Sequence, residues 1–560
     1  MFIRDSHAWQ MFSTTLITVL FLLSAGIGSA EIIYVEPGNS IQAAVNNSTT
    51  GDFVIVKAGE YEENIVVNVS GLTISSESGS PDGVLVRGRE KNSSIFEVKA
   101  DNVTISGFNI TGLGEVFSVP ETSGSANSSG LGSNSSDAER GQTSGSGSDR
   151  LISQWDGVGC PSAGICLEQV NNCTIEKNIF FKNRYGVYLQ NSRNSTLLNN
   201  TFFRNGIWLD EGCGQNLLVN NIVEGSYILL GAHCWDNIMF QNRLSNGEGI
   251  SIACCGGNNL VSKNDIINCS TGIDIYDVQA RTVLRDNRIT GCGNGIYFDF
   301  VFDSRVYNNT ISNGSTGIFL RDECHDNELS SNTIISSNES GIYLLDYSAD
   351  NRIYNNYFNN SINVKVENTE GNIWNTTKTP GTNILQGPNL GGNFWANLEG
   401  TGFSQISNDS DSDGICDLPY NINGSDFDYF PLAKPPYASG VDLKVIIGMP
   451  EINEISNISI EIDRNTLNFG TLLAGQSSSP QVLNVRNTGK SDVIISAEVR
   501  DPSDAVFSDG IYLSSFFWPE FSEVIENNTS KNLEVVLKVP ENYSENGIKT
   551  GSLFFLAKKV

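Results

Sequence analysis

The chain has 560 residues, with 63 acidic against 34 basic side chains and a net charge of −29 at pH 7. That balance excludes the basic stripe that nucleic acid or an anionic membrane would need, and favours solubility, cation binding or a salty habitat. Three His leave few nitrogen ligands for a transition-metal site, and eleven Cys leave at least one thiol without a partner in the chain.

Leu16 to Leu23 is an apolar core ending in Gly28-Ser-Ala30, a small-residue cleavage site, so residues 1–30 are expected to be a signal peptide. No later stretch approaches the roughly 18 apolar residues that span a membrane. Frequent Asn-x-Ser/Thr sequons, among them Asn68, Asn199, Asn308 and Asn528, fit a secreted glycoprotein of the cell surface. Ser40-Ile-Gln-Ala-Ala-Val-Asn46 is a short amphipathic helix, suited to cap an exposed apolar end. Phrases from Gly51-Asp-Phe-Val-Ile-Val56 to Asn102-Val-Thr-Ile-Ser-Gly-Phe-Asn-Ile110 build about three or four coils. Residues 113–158, rich in Ser, Gly and Asn, cannot bury a core and are expected to form a flexible surface excursion.

From Gly164 to Glu367 one phrase recurs, as in Gly186-Val-Tyr-Leu, Gly272-Ile-Asp-Ile, Gly295-Ile-Tyr-Phe, Gly317-Ile-Phe-Leu and Gly341-Ile-Tyr-Leu. The openings lie 20 to 24 residues apart, the period of a solenoid in which each unit covers its neighbour's apolar face. An Asn recurs at 178, 200, 221, 242, 264, 287, 309, 332 and 356, and a second column runs through Asn172, Asn194, Asn216, Asn237, Asn259, Asn327 and Asn351. Asn tolerates left-handed backbone at tight corners, and stacked Asn side chains bond one another as ladders. Three short strands per coil with Asn corners predict an all-β chain: a right-handed parallel β-helix of about thirteen coils over residues 31–390.

Cys213, Cys234 and Cys255 are 21 residues apart and Cys269 and Cys292 are 23 apart, one coil each. Stacking brings such positions near the Cα separation a disulfide needs, so Cys269–Cys292 and one of Cys213–Cys234 or Cys234–Cys255 are expected. An acidic column follows the Gly strands: Glu168, Asp210, Asp277, Asp299, Asp322 and Asp346, with Arg321 beside Asp322. Asp299 and Asp322 sit four and five residues after their Gly, so their carboxylates are expected within one or two coil spacings, a range open to acid/base work on a sugar. Asp at a strand end is also ordinary turn chemistry.

Residues 391–435 change to Gly391-Gly-Asn-Phe-Trp395 and then Asp409-x-Asp411-x-Asp413-Gly414 with Asp417, an acidic cap of the helix. Carboxylates at alternate positions before a Gly turn are hard oxygen ligands suited to Ca²⁺, although Tyr420 stands where a Ca²⁺ loop carries its bidentate Glu. Residues 436–440 read as a linker. Residues 441–560 show about eight spaced strands, including Gln481–Val485, Asp492–Val499, Leu533–Val539 and Gly551–Leu556, the profile of an immunoglobulin-like β-sandwich.

The Gly-Asp-Phe-Val-Ile-Val opening, the Gly-Ile coils and the Gly-Gly-Asn-Phe-Trp close resemble secreted archaeal proteins of the NosD-like, pectin-lyase-like β-helix group over residues 31–435. The resemblance implies the β-helix fold. For function it leaves three classes, because that fold carries lyases, hydrolases and non-catalytic surface proteins alike. The favoured expectation is a non-catalytic surface protein that binds glycans or cell-envelope proteins. A polysaccharide lyase or hydrolase would work through Asp299, Arg321, Asp322 and Asp346. Copper handling, the role in the family name, is the third. Ca²⁺ is the one cofactor expected, with no organic cofactor and no nucleic-acid partner.

Overall fold

The computed structural model describes residues 30–113, 160–278, 281–385, 387–434, 441–448, 460–463, 466–488, 492–500, 505–541, 543 and 549–559. The expectations for residues 1–29, 114–158 and 436–440 lie outside the described residues. The repeats build three parallel sheets. Sheet 1 has 13 strands, from Ile32–Val35 to Arg352–Tyr354; sheet 2 has 13, from Gly59–Glu62 to Phe394–Ala396; sheet 3 has 12, from Ile65–Val67 to Val364–Glu367. Each coil visits the sheets in turn, as in Thr174–Glu176, Ile179–Phe181 and Tyr185–Gln190. This is the expected parallel β-helix, with three strands per coil.

The chain divides into two compact units, Met1–Arg243 and Leu244–Val560. In the first, Ile105, Ile175, Leu197, Leu218 and Met239 stack in register on the inner face of sheet 1, all fully buried. In the second, Val261, Leu284, Val306, Leu329 and Ile353 do the same. Each such side chain contributes about 1.5–3 kcal/mol of burial, and period-two alternation repeats that contribution in every strand.

The corners correct the assumption that the ladder Asn itself takes the left-handed turn. The left-handed residue is the one before it: Lys177, Asn199 and Asn220 in the first unit, and Lys263, Asp286 and Asn308 in the second, all have φ between 52° and 57°. The ladder Asn is buried instead, and its amide closes the corner. Asn309 Oδ1 accepts from the Asn287 backbone N–H at 3.0 Å, while its Nδ2 donates to Leu284 O at 2.9 Å and to Asn332 Oδ1 at 3.0 Å. The second column runs likewise through Asn216 and Asn237, and through Asn327, Asn351 and Asn372. Asn172 and Asn194, expected in it, are the left-handed neighbours; Cys173 and Ser195 hold the buried positions. A pair the sequence reading missed, Asn183 and Asn205, bonds at the next corner.

The expected N-terminal helix spans Ile41–Asn47 and buries Ile41, Ala44 and Val45. Ser40 caps it by accepting from the Ala43 N–H, and Glu63 accepts the Ile41 and Gln42 N–H groups. At the C-terminal end of the β-helix, Trp395 stacks on Phe358 at 4.9 Å and on Tyr420 at 4.6 Å. Beyond it, two five-stranded sheets pack one core, including Leu483, Val485, Ile495, Val535, Leu553 and Phe555. The described strands there number ten rather than about eight, and Val441–Gly448 runs parallel to Lys549–Lys559.

Candidate functional site

In the second unit the outer face of sheet 3 carries chemistry. The Gly phrases send Ile and Leu inwards, so the residue between them points outwards by the two-residue period of a strand. Register then aligns Ser251, Asp274, Tyr297, Phe319, Tyr343 and Lys365 in one row, one residue per coil. Tyr276, Asp299 and Arg321 align in the next row. Phe319 and Tyr343 stack at 4.6 Å with their rings 10° apart, and Tyr297 meets Phe319 edge-on at 5.3 Å. Lys365 Nζ lies 4.2 Å from the Tyr343 ring centre and pairs with Glu367 at 3.1 Å. Tyr297 is buried, which pushes its phenol well above the usual range, while Phe319 and Tyr343 stay partly exposed. The sequence signal for this row lay in the third letter of Gly-Ile-Tyr and Gly-Ile-Phe, noted only as a repeat.

The four residues of the acidic column are placed differently from the expectation. Register sets Arg321, not Asp322, opposite Asp299. Tyr297 Oη donates to Asp299 Oδ2 at 2.9 Å. Asp322 stands one residue later, in the left-handed corner at φ 50°, with Oδ2 3.1 Å from Arg321 Nε. Asp346 occupies the same kind of corner at φ 48° and accepts from Asn368 Nδ2 at 3.3 Å. A difference of one residue in offset decides this, because it moves a side chain from a strand face to a corner. Asp299, Arg321 and Asp322 are thus one linked group with Tyr297, and Asp346 belongs to the following corner.

In the first unit the same sheet is closed on its outer side. Cys166, Tyr188, Trp208 and Leu229 align there and are buried together. Tyr188 donates to Asp210 Oδ2 at 3.0 Å, and burial raises the pKa of Asp210.

Of the expected Ca²⁺ ligands, Asp409, Asp411 and Asp413 bring one oxygen each within 4.8 Å of one another. Asp409 accepts the Asp413 and Gly414 N–H groups, so it also shapes the turn. Lys378 pairs with Asp413. Asp417 turns instead to the Ser410 hydroxyl and backbone N–H, which lower its pKa. Asp428 is fully buried and accepts from Asn393 N at 2.7 Å and Trp395 Nε1 at 2.9 Å.

The cysteines correct the pairing. Cys213, Cys234, Cys255, Cys269 and Cys292 all stand as thiols, and the disulfide joins Cys160 to Cys166. The stacked thiols are in contact without a bond between them, the Cys269 N–H lying 3.4 Å from Cys292 Sγ. The short spacing Cys160-x₅-Cys166 was the overlooked signal. Elsewhere, Cys254, Cys255 and Asp277 bring three ligand atoms within 4.8 Å of one another. Burial, followed by the Cys255 thiol, pushes the Cys254 thiol up to about 12.

Comparison with known proteins gives a family. A cell surface glycoprotein of Methanothermus fervidus is 25% identical over 424 residues, covering 69% of this chain and 56% of that protein. The chain thus spans little more than half the length of that curated relative. The catalytic domain of a GH87 alpha-1,3-glucanase in complex with nigerose aligns with a TM-score of 0.46 at 15% identity, over 63% of this chain and 67% of that one. A Yersinia enterocolitica family 28 exopolygalacturonase aligns at 0.38 and 13% identity, over 61% and 78%. The family described as periplasmic copper-binding protein (NosD) matches residues 45–231 and 224–400, more than half of the sequence. By that match, and by the coils that carry it, this chain belongs to the NosD family.

Proposed function

We propose that this chain is a cell-surface β-helix protein that binds an uncharged glycan on the outer face of sheet 3 in its second unit and does not cleave it. The observation that carries the reading is the partly exposed, stacked Phe319–Tyr343 pair, flanked by Arg321, Lys365 and Glu367. The stacked rings present their partly exposed edges as an apolar strip along the coils, and a rim of fixed charged groups takes the hydroxyls of a sugar laid on it. A net charge of −29 opposes polyanionic glycans, which leaves neutral ones. The name of the Methanothermus fervidus relative supports a place on the envelope. No helix among the described residues is long and apolar enough to cross a membrane. We read the ten C-terminal strands as an immunoglobulin-like module of the same surface protein, and Asp409, Asp411 and Asp413 as a Ca²⁺ site that steadies the cap.

Glycan-array binding, run together with reducing-sugar and unsaturated-product assays, tests the proposal. Binding that is lost in Phe319→Ala with Tyr343→Ala, without turnover, is the expected result. Sugar cleavage abolished by Asp299→Asn overturns it in favour of the enzyme reading, which the Tyr297–Asp299–Arg321 group supports.

The family name raises copper, so the donors matter. Met239 is fully buried, which leaves it no role as a surface ligand, while His233 is exposed and His325 is partly exposed and stacked on Phe302 at 5.3 Å. Among the described residues, the soft donors that do fit are Cys254 and Cys255 with Asp277. The two thiols suit copper(I) by their softness, whereas the carboxylate is a hard donor.

A further inference from the structure

We propose that Asn194, in the first unit, is an N-glycosylation site and that the first sugar of its glycan packs on the Trp235 indole. Asn194-Ser195-Thr196 is an acceptor sequon, and the corner presents it in usable form. Asn194 is exposed and left-handed at φ 53°, Ser195 is fully buried, and Thr196 opens the strand Thr196–Leu198 on its outward face. The Asn194 backbone N–H donates to Gly214 O at 3.1 Å, while its side-chain amide makes no hydrogen bond among the described residues. The ladder amides are different: Asn216 Nδ2 donates to Ser192 O and to Asn237 Oδ1, both at 3.0 Å. The turn that hides the ladder residue thus leaves the Asn before it free to react.

What lies beside Asn194 singles it out. Arg193, Gly214 and Trp235 pair in register, one per coil, each just before its corner. Trp235 is 49% exposed, and its indole lies back across Gly214, where a Cβ would meet Cδ1 and Nε1 at 2.8 Å. Glycine at 214 is what lets the ring lie there. The ring reaches as far as Arg193, whose Cζ is 5.5 Å from the ring centre. A side chain from the coil of Asn194 therefore already meets the indole, and Asn194 is the next residue. The sequons at Asn102 and Asn172 have the same exposed, left-handed corner in the two preceding coils. Two coils on from them, however, stand Arg193 and Gly214 instead of an aromatic ring.

Neighbouring coils are about 4.7–4.9 Å apart, so a sugar on Asn194 Nδ2 comes level with Gly214 and the indole that crosses it. Covering the apolar ring with the apolar face of a pyranose is favourable. The modification itself is a group transfer from a sugar phosphate-ester donor. Asn194 Nδ2 bonds to the anomeric carbon, the anomeric C–O bond breaks, the phosphate leaves with the electron pair, and the amide gives up one proton. No oxidant or reductant takes part.

The test uses the full chain from its native host. Glycopeptides are mapped by mass spectrometry, and indole exposure is read by acrylamide quenching of tryptophan fluorescence. A glycan on Asn194 that is lost in Thr196→Ala, with unchanged circular dichroism, is the expected result. Thr196→Ala is also expected to increase the quenching, and the increase to vanish in a Trp235→Phe background. An unmodified Asn194 overturns the proposal, and so does a glycan on Asn194 whose removal leaves the quenching unchanged. Glycan-array binding through Phe319 and Tyr343 is expected to be the same in Thr196→Ala, so this inference and the proposed function fail independently.

Discussion

Sheet 3 shows one backbone pattern with two outcomes. In the first unit the outward row is Cys166, Tyr188, Trp208 and Leu229, and it is buried. In the second unit the same position in the phrase carries Tyr297, Phe319, Tyr343 and Lys365, and the last three keep contact with solvent beside Arg321 and Glu367. The inner rows of both units are interchangeable Ile, Leu and Val. A solenoid therefore separates its two tasks cleanly: inward residues hold the coil, and outward residues take whatever role the local surroundings allow. The first unit uses its aromatic residues as core, the second as a platform.

The largest expected effect tests that division directly. Trp208 is 3% exposed, so Trp208→Ala should cost about 3–5 kcal/mol in urea unfolding. Phe319→Ala should cost much less in the same assay while removing glycan binding. Equal losses of stability would break the comparison.

The next effect should be the same in both units, because the corner ladders are common to them. Asn200→Ala and Asn309→Ala each leave a buried backbone N–H without its side-chain acceptor and remove an amide donor to a carbonyl of the next coil, an expected cost of about 1–3 kcal/mol. Their left-handed neighbours Asn199 and Asn308 should tolerate Gly with little change. A large loss there would mean that the side chain, not the φ angle, matters at the corner.

The second unit also hides an acid. Burial raises the Asp428 carboxyl to about 7, against the donors that favour its charged form. The folded protein then keeps this proton up to about pH 7, while the unfolded chain loses it near about pH 3.9. Its contribution is thus full at low pH and lost as pH rises from about 4 to about 7, on the order of 2–4 kcal/mol. Asp428→Asn should flatten that part of a melting-temperature profile; an unchanged slope would place the titration elsewhere.

The smallest effect concerns the Asp409 loop. Ca²⁺ should raise the melting temperature by mass action, and Asp411→Ala with Asp413→Ala should abolish the rise. Lys378 occupies one of the carboxylates, so Lys378→Met should enlarge it. No response to Ca²⁺ or chelator in either protein removes the ion from the loop.

The repeat period, the three strands per coil, the N-terminal cap and both Asn columns were legible in the residues, because a solenoid copies one local rule and a period of 20 to 24 records it. What the period left open was phase. Asn172 and Asn194 read as ladder members, yet Cys173 and Ser195 hold the ladder, since a one-residue shift exchanges a buried side chain for a left-handed turn. The same shift moved Asp322 off the face that Asp299 occupies and put Arg321 there. The period placed Cys269 beside Cys292 as expected, but the structure leaves both as thiols and puts its disulfide between Cys160 and Cys166. The sequence by itself determined the architecture, through periodic burial that every coil must satisfy. Only the tertiary structure decided which outward row is core and which is surface, and which thiols face solvent. Those outcomes depend on what lies one coil away, at distances that no neighbouring residue in the chain specifies.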